Sequence, residues 1–170
     1  MYLKYAKTRD VEIPSRGHAT DAGIDFRCPV ITEEFKEAVL AHKANKDGVT
    51  IVDGKIRINS GHNVTIPSGI KVEIPYGYMG LFMNKSGVAS KNDVLIGAQT
   101  IDTFYSGEVH IDLHNVGEKV FEIESGMKLA QMALVPVLNC DLINVEEDEL
   151  YEWMKSNDHR GEGGFGSTGR

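Results

Sequence analysis

Apolar and polar side chains alternate along several short segments of the chain, and this alternation constrains the fold more than any other feature. The segment 70–74 reads Ile-Lys-Val-Glu-Ile between two turn sequences, and the segment 109–114 alternates in the same way. A period of two with turn residues at both ends is typical of half-buried β-strands. Further short strands are predicted at 64–66, 120–123 and 134–138. Strands this closely spaced predict an all-β jelly roll or β-sandwich, formed by one domain over residues 1–158.

Two segments have the pattern of a helix instead. Thr32 is placed to cap a short helix over residues 33–44, with acidic residues in its first turn. The sequence Asp53-Gly54 then predicts the turn of a β-hairpin, so residues 31–58 are expected to form a helix-plus-hairpin insertion. A second helix is predicted over residues 146–155.

The charge balance excludes two classes of partner. The 170 residues carry a formal net charge of −7, whereas proteins that bind nucleic acid or anionic membranes rely on summed positive charge. No apolar run reaches the length of a membrane helix or of a secretory signal. Cys28 and Cys140 lack the spacing of metal ligands, as expected for thiols in a reducing compartment. We therefore expect a cytoplasmic protein without nucleic-acid or membrane partners.

The last residues, 159–170, are rich in glycine and hold Arg160, Phe165, Ser167 and Thr168. Glycine-rich termini are ordinarily disordered, but an aromatic ring has nothing to bury against in a solvated tail. The alternative is a lid in which amides and hydroxyls wrap phosphate while the ring stacks on a base.

The segment 84–89 combines a cation, a hydroxyl and a glycine. It is not a P-loop, because Asn84 occupies the position directly before the lysine where that motif requires glycine. Residues 91–93 also give little sign of the helix that a P-loop needs. Lys85, Ser86 and Gly87 are therefore either a polar turn or a phosphate-binding turn.

Two further groups of polar residues have both a structural and a chemical interpretation. Asp102 lies in a predicted bend beside Tyr105, where it either shapes the turn or acts as a general base toward water. His110, Asp112 and His114 share one face of a predicted strand. We favour a solvated or interface face there over a metal site, since motif matches often mislead.

Taken in order, five segments resemble the five motifs of the trimeric dUTPase family. They are residues 19–26, 85–89, 97–109, 126–132 and 160–169. The last contains Gly-Gly-Phe-Gly-Ser-Thr-Gly, which is highly specific to this family. The resemblance implies a jelly-roll homotrimer that hydrolyses dUTP to dUMP and pyrophosphate with Mg²⁺. It also implies that each active site is assembled from three subunits.

The resemblance assigns roles to individual residues. Asp102 would activate the water that attacks the α-phosphorus, and Asp25 would hold water ligands of the Mg²⁺ ion. Tyr105 would exclude a ribose 2′-hydroxyl, and a hairpin at 97–101 would read the uracil edge. The substrate-binding residues implied are Lys85, Ser86, Gly87, Gly97, Gln99, Ile101, Tyr105, Gln131, Arg160, Phe165, Gly166 and Ser167.

The sequence departs from the family pattern at several points. Lys85 and Lys128 stand where the second and fourth motifs usually carry arginine, so the charge is kept and the bidentate fork is lost. Phe104 stands where the family often has a small or acidic residue. The connection at 31–58 is longer than usual, as in viral and phage members, whose location is the host cytoplasm.

Two other functions are compatible with these features. A dCTP deaminase has a similar fold, but that family requires a glutamate on the strand after the third motif, where this chain has Asp112. A regulatory protein could instead use residues 31–58 to bind a protein partner. The intact Asp102, Tyr105 and tail favour the dUTP-hydrolysing enzyme.

Overall fold

The computed structural model describes residues 2–45 and 47–151, most of whose regular structure is β-strand. The strands are β1 (Lys4–Lys7), β2 (Ile24–Arg27), β3 (Val49–Val52), β4 (Lys55–Ile58), β5 (Asn63–Pro67), β6 (Ile70–Glu73), β7 (Tyr78–Asn84), β8 (Val94–Ile96), β9 (Thr100–Ile101), β10 (His110–Asn115), β11 (Phe121–Ile123) and β12 (Lys128–Pro136). The α-helices are α1 (Glu33–Ala41) and α2 (Ser86–Asn92). Within the described ranges, no helix has the length and apolarity needed to cross a membrane.

The strands pair into four antiparallel sheets, so the predicted all-β fold with a short helical segment is confirmed. The sheets have the strand orders β1-β6, β5-β10-β8, β11-β4-β3 and β2-β12-β7-β9. The four-stranded sheet carries most of the residues discussed below, because β12 pairs with β2 along one edge and with β7 along the other.

Fully buried and partly buried side chains alternate along β10, as predicted from the sequence. Ile111 lies opposite Ile66, and Leu113 opposite Val64, and all four side chains are fully buried. The intervening polar side chains of β10 are only partly buried. One face of this sheet is therefore part of the core, and the other face is polar.

The predicted helix-plus-hairpin at 31–58 is present, although its helix is shorter than expected. Thr32 caps the helix by accepting a hydrogen bond from the Phe35 amide at 3.2 Å. The helix ends at Ala41 instead of residue 44, because the side-chain amide of Asn45 donates to the Val39 carbonyl that a further turn would use. In the hairpin turn, both Asp53 (φ 52°) and Gly54 (φ 72°) are left-handed, as a type I′ turn requires.

The inner side of this segment belongs to the core of the protein. Phe35 and Val39 of α1 are 2% and 0% exposed, and Ile56 and Ile58 of β4 are both fully buried. Strand β4 also pairs with β11, which lies far along the chain. Residues 31–58 are therefore packed into the fold and are not an appendage on its surface.

The chain divides into two compact units, Met1–Leu138 and Asn139–Arg170. No strand or helix is present between Pro136 and Glu147 in the second unit as far as it is described. The predicted helix at 146–155 is only a 3₁₀ turn over Glu147–Glu149, because Leu150 is extended and Tyr151 is left-handed (φ 61°). Residues 152–155 lie outside the described part of the chain.

We expect Phe35→Ala to lower the free energy of unfolding by about 3–5 kcal/mol, the usual cost of truncating a buried phenylalanine. Leu40→Ala on the same helix is the matched control, because Leu40 is 55% exposed and should cost less than about 0.5 kcal/mol. Urea denaturation of both variants measures the difference. Equal effects would show that α1 does not pack into the core.

Candidate active site

A buried carboxylate paired with two lysines is the main electrostatic feature of the four-stranded sheet. Asp25 lies on β2, and its side chain is only 7% exposed. Its Oδ1 is 2.5 Å from Nζ of Lys85, which follows β7, and its Oδ2 is 2.7 Å from Nζ of Lys128 at the start of β12. These three groups alone carry two positive charges and one negative charge in an acidic protein.

A β-bulge brings these side chains to one face of the sheet. Between Lys128 and Ala130 the register of β12 against β2 shifts, so that Leu129 is an extra residue without a partner. In a regular strand, residues three positions apart point to opposite faces. The extra residue at the bulge reverses this relation, so the side chains of Lys128 and Gln131 lie on the same face of the sheet as Asp25.

The same face borders a cavity of about 500 Å³, within the range of small-molecule sites. It is lined by Gly17, His18, Asp21, Ala22, Gly23, Asp25, Met83, Lys85, Lys128 and Gln131. Asp25, Lys85 and Gln131 were predicted as site residues from the sequence, and here they come together.

The loop before β2 forms one wall of this cavity, which sequence analysis did not foresee. The Asp21 carboxylate accepts a hydrogen bond from the His18 amide at 2.8 Å, and Arg16 Nε donates to the Asp21 carbonyl at 2.8 Å. Both hydrogen bonds join residues no more than five positions apart, so they hold the loop locally. They do not reveal from the sequence that the loop faces a cavity.

Gly23 permits the approach of Gln131 across the β2–β12 pair. A Cβ at Gly23 would overlap Oε1 of Gln131 and lie 2.8 Å from its Cδ. The Gln131 side chain in turn donates from Nε2 to the Asn84 carbonyl at 2.9 Å. A side chain at position 23 would therefore displace the Gln131 carboxamide.

The charge state of Asp25 follows from two opposing effects. Burial raises the pKa of Asp25, but hydrogen bonds and charges from Lys128 and Lys85 together lower it by more. The net effect holds the pKa below its ordinary value. Asp25 is therefore ionised at neutral pH and available as an oxygen ligand.

Ser86 and Gly87 begin helix α2, and no atom lies within 4 Å of a Cβ built on Gly87. Residues 91–93 were not expected to continue a helix after Ser86, and that prediction was wrong, because α2 extends to Asn92. The rejection of a P-loop still holds, because Asn84 replaces the required glycine and accepts a hydrogen bond from the Ile96 amide at 2.7 Å. The helix has only seven residues and a single buried apolar side chain, Val88, so it has no helical pattern of apolar residues that could be recognised in the sequence.

Asp102 and Tyr105 lie in the bend that follows β9. Asp102 is exposed, and its carbonyl accepts from the Tyr105 amide at 3.2 Å. The Tyr105 hydroxyl donates to the Glu108 carbonyl at 2.9 Å, and its ring lies against Gly107. The ring is fixed at its tip and 46% exposed, so a free surface remains. Phe104 between them is 87% exposed with φ 71°, a strained conformation for a residue with a large side chain.

The segment 97–101 is not a hairpin, because β8 pairs with β10 and β9 with β7. It crosses from one sheet to the other. Gly97 donates its amide to the Asp112 carbonyl at 2.9 Å, and the Gln99 carbonyl accepts from the Phe82 amide at 2.8 Å. Ile101 faces the core opposite Gly80. The resemblance to the dUTPase family implied a hairpin here, but the two ends of the segment pair with different sheets.

Within one chain, the predicted site residues form two separate groups. Gln131 lies opposite Met83 and Ile101 lies opposite Gly80, on the two sides of β7. Three residues along a strand and two strand spacings of about 4.8 Å place these positions more than about 10 Å apart. No residue from 97–105 lines the cavity described above. The Asp102 group and the Asp25 group therefore do not meet in a single subunit.

The polar side chains of β10 form hydrogen bonds and ring contacts with nearby groups of the chain. Asp112 Oδ2 is 3.0 Å from His114 Nε2 and accepts from the Ala98 amide at 3.1 Å, while its Oδ1 accepts from the Thr65 hydroxyl at 3.3 Å. The His110 ring packs against His42 with centroids 5.1 Å apart. Across residues 2–45 and 47–151, no group of three or more acidic, histidine or cysteine side chains is arranged to hold a metal ion.

The predicted site residues of the C-terminal segment, Arg160, Phe165, Gly166 and Ser167, lie outside the described residues.

Comparison with known proteins decides the family. The dUTPase family model matches residues 51–169 of the chain. The chain belongs to the dUTPase family. The deoxyuridine 5′-triphosphate nucleotidohydrolase of Clostridium tetani is 37% identical over 163 residues, which cover 95% of this chain and 91% of that protein. The enzyme of the same name from Candida albicans is 31% identical over 98% of this chain and 86% of its own length.

A solved dUTPase shares the fold over nearly the whole length. The dUTPase of Staphylococcus bacteriophage 80alpha, solved with dUpNHpp, superposes with a TM-score of 0.75 at 26% identity, covering 99% of both chains. This similarity includes residues before position 51, where the dUTPase family model does not match.

We expect Gly23→Ala to weaken binding of tripolyphosphate to this dUTPase by about tenfold, the value of one well-formed hydrogen bond to a charged group. The added methyl group would push away the Gln131 carboxamide while leaving the fold intact. Calorimetric titration gives the affinity, and the melting temperature serves as the control. In a Gln131→Ala background the same substitution should have little further effect, and an equal loss there would contradict this explanation.

Proposed function

We propose that this member of the dUTPase family is a dUTP diphosphatase, which converts dUTP and water to dUMP and pyrophosphate. The observation that carries the proposal is the positively charged face formed by Asp25, Lys85, Lys128 and Gln131 beside the cavity. The named relatives are nucleotidohydrolases of the same substrate, and the phage 80alpha protein binds a dUTP analogue.

The phosphate chain is expected on this charged face. Ammonium groups bind phosphate oxygens as point charges without fixed geometry, and the Gln131 carboxamide adds a neutral donor. Ser86 and Gly87 directly follow Lys85, so the hydroxyl and the open backbone at Gly87 extend the same surface. Phosphoryl transfer depends on such positioning and charge neutralisation more than on covalent help.

The complete site is proposed to form between subunits of a homotrimer. The Asp102 group and the Asp25 group lie on opposite sides of β7 and more than about 10 Å apart within one chain. Both groups must contact the same nucleotide for hydrolysis at the α-phosphorus. A neighbouring copy that presents its Asp25 face to the Asp102 bend satisfies this requirement.

Asp102 is proposed as the general base. Its exposed carboxylate accepts a proton from water as the water oxygen forms a bond to the α-phosphorus. The bond between that phosphorus and the bridging oxygen to the β-phosphorus breaks, and pyrophosphate leaves with the electron pair. Because Asp102 follows β9 directly, pairing of β9 with β7 fixes the position of its backbone.

Selection of the nucleoside is assigned to the residues around Asp102. The half-exposed Tyr105 ring is held by its hydroxyl and by Gly107, so it presents a rigid surface beneath the sugar that leaves no room for a 2′-hydroxyl. Backbone groups of Gly97, Gln99 and Ile101 are proposed to read the uracil edge. The Gly97 amide and the Gln99 carbonyl already form hydrogen bonds within the chain. Only the lone pairs and backbone groups of these residues that remain unpaired could therefore contact uracil.

Mg²⁺ fits the donor set of this site as an ion carried by the substrate. Asp25 and Asp21 are the carboxylates that line the cavity, and the described residues offer no cage of three ligands. Mg²⁺ commonly keeps several waters and binds through one or two carboxylates together with phosphates. Asp25 would hold it through water, and the ion would neutralise charge on the triphosphate.

The C-terminal residues complete the proposed site. Arg160 is proposed to bind the γ-phosphate, Phe165 to cover the uracil ring, and Gly166 and Ser167 to contact the phosphate chain. Stacking of a base on an aromatic ring contributes about 1–3 kcal/mol. These residues should therefore adjust affinity and exclude bulk water, while the chemistry remains with Asp102.

The dCTP deaminase alternative is disfavoured by the surroundings of Asp112. Both of its carboxylate oxygens already bond to groups of the chain, among them His114, the Ala98 amide and Thr65. These interactions lower the pKa of Asp112 overall, although burial acts in the opposite direction. A protein partner at residues 31–58 would have only the outer face of the segment, because the inner face lies in the core.

Assays with four nucleotides test the proposed reaction. Pyrophosphate release is expected from dUTP with Mg²⁺, at rates well above those for dCTP, dTTP and UTP, and should fall when EDTA removes the metal. Ammonia is measured in the dCTP reaction. Ammonia from dCTP without pyrophosphate from dUTP would reverse the assignment in favour of a deaminase.

We expect Asp102→Asn to lower turnover of dUTP by about 10²–10⁴-fold, the usual contribution of a positioned base. Binding should change little, because asparagine keeps the shape and one hydrogen-bond acceptor. Single-turnover kinetics separates the chemical step from the affinity for a non-hydrolysable analogue. Turnover that is unchanged in this variant would remove Asp102 from the proposed role.

A further inference from the structure

Asp25 is engaged on both oxygens before any ligand arrives. Lys85 and Lys128 each contact a different oxygen of the carboxylate, at 2.5 and 2.7 Å. The three groups together carry one net positive charge. A free divalent cation that approaches Asp25 is therefore repelled by two ammonium groups, and each oxygen of the carboxylate already has one cationic partner.

Of the two lysines, Lys128 is the one placed to leave. Its side chain is 37% exposed, whereas that of Lys85 is 23% exposed. Lys128 also lies at the first position of β12, next to the bulge and at the end of the strand pairing. A lysine contacts the carboxylate through one mobile ammonium group, whereas an arginine could bind both oxygens through its planar fork.

We propose that Lys128 and the hydrated Mg²⁺ ion exchange places at Asp25, so that the metal ion binds well only when a phosphate chain receives the displaced ammonium group. This inference rests on the proposed function for the identity of the nucleotide, but not for the exchange itself. Lys128 is thus a positioning residue that couples metal binding to phosphate binding.

The exchange follows from charge. Without nucleotide, moving the Lys128 ammonium group away from Asp25 loses an ion pair at 2.7 Å and gains nothing in return. With a triphosphate in the cavity, the ammonium group finds new anionic oxygens a few ångströms away, and Asp25 becomes free for the water shell of the metal.

Binding of Mn²⁺ to the free protein tests the exchange without reference to catalysis. Mn²⁺ replaces Mg²⁺ at oxygen ligands, and the free ion is counted by electron paramagnetic resonance. In the absence of nucleotide, Lys128→Gln should bind Mn²⁺ about five- to thirtyfold more tightly than the unmodified protein, the effect of one partly screened charge nearby. Lys128→Arg should remain as weak as the unmodified protein, and Asp25→Asn should abolish the gain in the Lys128→Gln background.

Lys55→Gln is the matched control. Lys55 also pairs with two carboxylate oxygens, at 3.2 Å from Glu122 and 2.6 Å from Glu124, and its side chain is 35% exposed. It lies on β4 and is not among the residues that line the cavity. An increase in Mn²⁺ affinity equal to that of Lys128→Gln would reveal a general charge effect and overturn the proposal.

A second measurement follows the other half of the exchange. Lys128→Gln should bind a non-hydrolysable dUTP analogue about tenfold more weakly, since the phosphate chain loses one ammonium partner. Unchanged Mn²⁺ affinity in Lys128→Gln, including absence of binding up to millimolar metal, would refute the exchange even if analogue binding fell. Failure of the protein to hydrolyse dUTP would refute the proposed function and leave the Mn²⁺ result independent.

Discussion

The pairing of β12 with two neighbours holds the candidate site together. Strand β2 brings Asp25 from one side, β7 leads to Lys85 on the other, and β12 itself supplies Lys128 and Gln131. None of these side chains is close to the others in sequence except within β12. Their meeting depends on backbone hydrogen bonds of the sheet, which fix position to within a fraction of a strand spacing. The polar contacts among the side chains then act on groups that the sheet has already placed.

The electrostatics of the site are local and differ in sign from the protein as a whole. The chain carries a formal net charge of −7, yet two ammonium groups gather on one buried carboxylate. Asp25 makes this possible, because without it two lysines so close together would repel each other. A carboxylate at the base of an anion site therefore orders the cations that an incoming phosphate chain needs. Its low pKa is the consequence of that arrangement.

Much of the fold could be predicted from the sequence, because short-range patterns determine it. Alternation along 109–114 gave the buried face of β10, and Thr32 and Asp53-Gly54 gave the start of α1 and the turn of the hairpin. The helix expected at 146–155 did not form over residues 146–151, where Leu150 and Tyr151 are 48% and 66% exposed and bury no apolar face. Propensity alone seldom holds a short helix without such packing.

The site was predicted less completely, for reasons that concern pairing across the sheets. The motif residues identified Asp25, Lys85 and Gln131, but the role of Lys128 was not assigned, because lysine replaces the usual arginine of the motif and lacks its bidentate fork. The segment 97–101 was expected to fold back on itself, whereas long-range pairing sends its two ends to different sheets. The loop wall at His18 and Asp21 likewise depends on tertiary placement, which no local pattern encodes.

The bulge at Leu129 also limits how this gene segment can change over generations. Loss of the codon for Leu129 would leave a regular strand in which Lys128 still lies opposite Arg27. It would also remove a fully buried leucine from the core. The bulge therefore lets the strand bury one more apolar side chain without turning Lys128 away from Asp25, and a deletion at this codon should be selected against for stability and not for orientation.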